Sequence, residues 1–197
     1  MTKCRLKGCL RRGVRNLMAL CFVTMPVAAL GVEHARHHHH DHSMTVDRDG
    51  MVMNSNEDTL PQDCIAISTE LQFDVRVGRK YARRGLTYGF DRHEWRVPPC
   101  ARIQITLINE DSVRHQWMVH GLPRYIYPQG MFHLEANGGT TRTGTFIVPS
   151  DDRTYLAHCD ISHHMEQGLK AQVFVGAGSG VLPSIPGISA PVRPDRY

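Results

Sequence analysis

This 197-residue chain has no stretch whose apolar residues recur every three to four positions over a useful length. That absence argues against a helical bundle or an alternating strand–helix fold. Membrane-length apolar runs are missing too. Residues 17–30 form an apolar stretch interrupted by Pro26, and fourteen residues are too few to span a bilayer. No His-Glu-x-x-His occurs and no Ser-His-Asp spacing, so metalloprotease and serine-hydrolase chemistry lack their usual carriers.

An excess of positive charge is missing beyond the first residues. Lys3, Arg5, Lys7, Arg11, Arg12 and Arg15 form a basic segment, the apolar stretch follows, and Ala29-Leu30-Gly31 ends it in small residues. Residues 1–31 therefore read as an export signal cleaved near residue 31, with Arg11-Arg12 leaving the general and twin-arginine routes both open. What remains carries 17 basic and 19 acidic residues. The expected location is the periplasm, with no membrane insertion after cleavage and no electrostatic footprint for nucleic acid.

Cysteine is equally sparse. Cys4, Cys9 and Cys21 fall in the signal, leaving Cys64, Cys100 and Cys159. An odd count in an oxidising compartment implies one disulfide and one thiol kept for another purpose. Cys64 and Cys100 each stand just before a strand-like run and are paired here. Cys159 is left over, and a bound metal would protect it from oxidation.

Histidine and methionine are what the chain has in their place. Residues 32–62 show no apolar periodicity but carry His34, His37, His38, His39, His40 and His42, then Met44, Met51 and Met53. Such a composition cannot bury a core, so a tail that is disordered without metal is expected. The histidine run is internal, broken by Asp41, and placed where a mature N-terminus would begin, which favours a natural metal-catching tail over an engineered tag. Imidazole suits Cu(II) and thioether suits Cu(I), so these nine residues are candidate accessory copper ligands.

From residue 63 onward, short alternating runs recur between Gly, Pro, Asp and Asn turns. Strands are expected at 71–77, 86–90, 94–97, 101–109, 116–120, 131–135, 144–148, 155–158 and 170–175. Many short strands of this kind make an all-β chain, a Greek-key β-sandwich over residues 63–176. Residues 177–197, rich in Gly, Ser and Pro, read as a flexible tail.

The densest chemistry lies between the last two expected strands. His158, Cys159, His163, His164 and Met165 place a thiol, three imidazoles and a thioether on one loop. Cys159 and His164 stand in Cys-x4-His spacing, and His115 in SVRHQWMVHG is the distant third donor. Thiolate from Cys159 and imidazole from His115 and His164 make a trigonal His2Cys plane of the kind copper takes.

The segment HCDISHHMEQGL resembles the C-terminal copper loop of cupredoxins and multicopper oxidases, whose pattern is H-C-H-I-x-x-H-x-x-x-G-M/L. Taken with RHQWMVHGLP, it is similar to the CopI-type copper-induced periplasmic cupredoxins of bacterial copper tolerance, over residues 61–176. The resemblance implies a cupredoxin fold with a mononuclear type 1 copper site, binding copper to protect the cell and passing it, or electrons, to a periplasmic partner protein. Those relatives also carry His- and Met-containing N-terminal segments. Their axial position usually holds Met, whereas here Leu169 follows Gly168, so Leu169 with no axial ligand and Met165 as a substitute both stay open. Positions matching His120 and His158 bind the oxygen-reducing cluster in multicopper oxidases. Met118 and Asp160 stand where further such histidines would be, so an oxygen-reducing enzyme is not expected. His120 and His158 then read as structural histidines, with a contact behind the copper or an accessory copper site as alternatives. His93 and His133 carry no assigned role, and Trp117 and Tyr125 read as core or site-lining aromatics. A dedicated one-electron carrier is the alternative function, with a cuprous oxidase or nitrite-reductase-like enzyme behind it.

Overall fold

A computed structural model describes residues 44–190. The expected signal, the histidines at 34–42 and residues 191–197 lie outside the described residues. Eleven strands are described. They are β1 (Met44–Asp47), β2 (Gly50–Met53), β3 (Glu70–Gly78), β4 (Gly89–Phe90), β5 (Glu94–Val97), β6 (Arg102–Asn109), β7 (His115–His120), β8 (Met131–Ala136), β9 (Thr141–Ile147), β10 (Arg153–His158) and β11 (Lys170–Val175). They form a seven-stranded sheet, β1-β2-β8-β7-β10-β11-β5, and a four-stranded sheet, β4-β3-β6-β9. β5 lies parallel to β11 and β3 parallel to β6, while the other pairs are antiparallel. The all-β sandwich expected from the alternating runs is the observed architecture. Among the described residues, no helix is long and apolar enough to cross a membrane.

Alternation explains the core. β6 buries every second residue, turning Ile103, Ile105, Leu107 and Asn109 inward. Each aliphatic side chain so buried contributes about 1.5–3 kcal/mol. Trp117 of β7 is fully buried, edge-on to Trp95 at 5.6 Å, and Phe132 stacks on Phe146 at 4.9 Å. Tyr125 is half exposed, and its hydroxyl accepts the Gln62 N–H. Cys64 and Cys100 are disulfide-bonded, and Cys159 is a buried free cysteine, as their distribution implied.

Three expectations meet a different structure. The N-terminal tail was expected without structure to residue 62, yet β1 and β2 form a hairpin that adds to β8. A tight turn ending at Gly50, and Val52 packed against the core, explain the pairing. The strand expected at 86–90 shrinks to Gly89–Phe90, because the Thr87 and Tyr88 N–H groups both donate to Gln167 O rather than to a neighbouring strand. Residues 177–190 do not hang free. Ile185 is fully buried, Leu182 N–H donates to Gln172 Oε1, and Lys170 Nζ donates to Pro183 O.

Candidate metal centre

Two loops at one end of the sandwich deliver the donors. At the end of β6, buried Asn109 donates through Nδ2 to the carbonyls of Val113, Ala136 and Asn137, and accepts the Asp111 N–H on Oδ1. This side chain ties down the 110–114 turn, so that β7 begins with His115 facing inward. The second loop follows β10. Cys159 N–H donates to Leu169 O, Leu169 N–H to His164 O, and His164 N–H to Ile161 O. His163 takes a positive φ of 66° and its backbone carbonyl accepts the Gln167 N–H. The loop is thus closed by its own backbone and held to the 86–88 segment. Gly168, at φ 119°, passes so near that segment that an added Cβ would lie 2.2 Å from Tyr88 O.

His115, Cys159 and His164 bring their donor atoms within 4.8 Å of one another. His115 Nδ1 lies 3.2 Å from His164 Nδ1, and Cys159 Sγ lies 3.5 Å from that same nitrogen. Tyr88 packs on both rings, at 4.8 Å from His115 and 4.6 Å from His164. On the far side of His115, Nε2 sits 3.3 Å from Asp111 Oδ2. A carboxylate only accepts, so this contact places the proton on Nε2 and leaves Nδ1 with its lone pair toward the sulfur and His164. Burial raises Asp111, but the Ser112 N–H and the His115 contact outweigh it and leave its carboxyl below the ordinary range. Burial lowers His115 against the opposing pull of Asp111, and burial lowers His164. Burial also pushes the Cys159 thiol up to about 11.

The donor set fits a metal ion. Nitrogen donors at about 2.0 Å and sulfur at about 2.3 Å from a three-coordinate centre stand about 3.5 Å from each other. The 3.2 Å and 3.5 Å separations are close to that. Two imidazoles and one thiolate, with His115 and Cys159 buried and His164 half-buried, is the set copper takes in electron-transfer sites. Outer contacts such as His115 to Asp111 orient a ligand and fix its tautomer.

The other named residues take the following positions. Leu169 is fully buried in the same apolar cluster as Cys159. Met165 lines a groove with Leu86, Lys170 and Ile185. His163 is exposed. His120 and His158 stack on each other at 4.8 Å, on the face of β7 and β10 turned away from the core. His93 is buried, with Nδ1 against Lys170 O. Tyr88, Asn109 and Asp111 shape the site without having been singled out in the sequence, and Gly168 was named there only as the residue before Leu169. Asp111 alone offered a signal, four residues before His115.

No family model matches the sequence, and no curated protein does. Among solved structures, the chain is similar to auracyanin B, at 16% identity and a TM-score of 0.45, over 62% of this chain and 94% of that one. It is similar to auracyanin A, a "blue" copper protein from Chloroflexus aurantiacus, at 18% identity and a TM-score of 0.43, over 54% and 99%. It is also similar to the blue copper oxidase from Nitrosomonas europaea, at 18% identity and a TM-score of 0.45, over 58% of this chain and 41% of the oxidase, so it spans well under half of that enzyme's length.

Proposed function

We propose that this chain is a periplasmic copper-binding protein of the cupredoxin type, which contributes to copper tolerance by sequestering copper and cycling it between oxidation states at one type 1 site. The observation that carries this reading is a buried, unpaired thiol with two imidazole nitrogens turned toward it. Export of the chain with cleavage near residue 31, and capture of copper by the histidines and methionines of the N-terminal segment, belong to the same reading. Leu169 in place of a thioether keeps the site at three strong donors.

Each residue has a part. Cys159 supplies the thiolate, His115 and His164 supply imidazole, Asp111 holds the His115 tautomer, and Tyr88 covers both rings. Copper bound there supplies a one-electron couple. The chain's share is to keep the donors still, because the loop hydrogen bonds fix their positions independently of the ion. That rigidity also favours the second reading, a soluble one-electron carrier with a periplasmic protein partner.

The test is an absorption and EPR spectrum of the copper-loaded protein beside its Cys159→Ala variant. An intense thiolate-to-copper band is expected in the parent and none in the variant. A parent without that band, or a band that survives the substitution, overturns the proposal.

A further inference from the structure

The outer face of the seven-stranded sheet carries a second gathering of soft donors. Antiparallel register sets Met53 of β2 directly opposite His133 of β8, Met118 of β7 opposite the same His133, and His158 of β10 opposite Met118. Directly opposed residues share a face, with Cβ atoms about 5 Å apart. The strand neighbours Phe132, Leu134, Trp117 and Val119 belong to the core, so this row points the other way. An outward sheet face is usually polar and wet. Here Met118 is 2% exposed and His133 4% exposed.

Ring nitrogens in this row, and on His120 beside it, lack hydrogen-bond partners. Both ring nitrogens of His133 are buried without a hydrogen bond, as are His158 Nδ1 and His120 Nε2. Leucine would fill such positions without stranding polar atoms, and buried polar groups left unpaired are rare. Among the described residues, the triad of His, Cys or carboxylate donors that converges is the one at Cys159. The imidazoles here do not make another. By register Met118 stands between His133 and His158, with Met53 on the other side of His133, and thioether with imidazole selects a soft ion.

We propose that this face holds a second metal site, for Cu(I), in which His133 ligates between the thioethers of Met53 and Met118, with His158 beside it. The site is separate from the thiolate centre, on the opposite face of β7 from His115, and does not depend on the function proposed above.

The full chain carrying Cys159→Ser, which has lost the thiolate, is titrated anaerobically with Cu(I) against a chromophoric Cu(I) chelator. The same protein is titrated with Ag(I), a diamagnetic stand-in, while methionine methyl signals are followed by NMR. Introducing His133→Leu or Met118→Leu should lower the bound Cu(I) by one equivalent with the circular dichroism unchanged. Ag(I) should shift the Met53 and Met118 methyls in the parent and leave them unmoved once His133 is replaced. Met118→Leu nearly conserves volume, so it reports on ligation even if His133→Leu disturbs packing. Equal Cu(I) equivalents in all three proteins, or Met53 and Met118 methyls that ignore Ag(I), overturn the proposal.

Discussion

The two ends of this sandwich are closed by different means. At one end Cys64 and Cys100 are joined covalently, and Cys100 N–H donates to Pro149 O beside the start of β6. At the other, past the end of β6, Cys159 stays a thiol, and closure falls to hydrogen bonds between the 159–169 loop, the 86–88 segment and the 109–115 turn. A disulfide tightens the fold whatever the ligand. A thiol kept apart from other cysteines can serve a metal, and its surroundings must then be rigid by other means. One end stabilises, and the other positions.

Removing the covalent tie should show the largest effect. The Cys64→Ala/Cys100→Ala variant frees a 36-residue separation, for which loop entropy predicts a loss of about 2–4 kcal/mol. Thermal melts should show that loss, while the copper-loaded variant keeps the thiolate band per bound copper at the parent's intensity. A band that fades with the disulfide would mean that the two ends are not independent. Next comes Gly168→Ala. It places a methyl group against Tyr88 O at a positive φ, so about 1–3 kcal/mol should be lost. Unlike the disulfide variant, this one should also weaken copper binding, because the strap it disturbs carries His164. Copper titrations of the two variants side by side check the contrast.

The division between the ends was only partly legible in the sequence. Cys159, His164 and His115 could be picked out because residue chemistry survives without coordinates, and the leftover-thiol argument needs only a count. The strands from β5 to β11 announced themselves by alternation. The β1–β2 hairpin was hidden by its composition, since Met and Asp read as a tail until Gly50 turns the chain and β8 offers a free edge. Residues 86–88 look like a strand and serve as a strap, because Gln167 accepts both of their N–H groups, a pairing 80 residues away that no local pattern shows. His133 had no signal at all. Its interest lies in the cross-strand row with Met53 and Met118, and register is a tertiary fact.

Asp111→Asn should act next in size and on the positioning end alone. An amide can donate as well as accept, so the proton on His115 Nε2 is no longer required. Loss of such an outer contact typically lowers metal affinity about 10- to 100-fold. Competition titrations should show that drop, with thermal stability of the metal-free protein falling far less than in the disulfide variant.

The smallest effect should come from acid, and again at one end only. Glu110, just before Asp111, takes an ion pair from Lys80, one from Arg76 at 2.6 Å and the Tyr81 hydroxyl at 2.9 Å, which together hold its carboxyl down to about 2. A carboxyl depressed in the folded state stabilises fully above its unfolded value of 4.5, and that contribution is lost as pH falls through the window toward about 2. The group is open to solvent, so salt should shrink the effect. Melting temperatures of the parent and Glu110→Gln should therefore differ at neutral pH, converge as pH drops through that window, and differ less at high salt. The disulfide variant should run parallel to the parent across the same acid range, because a covalent link does not titrate. If instead the disulfide variant alone becomes acid-sensitive, the ionic clamp at the Cys159 end supports the whole sandwich, and the two ends share one task.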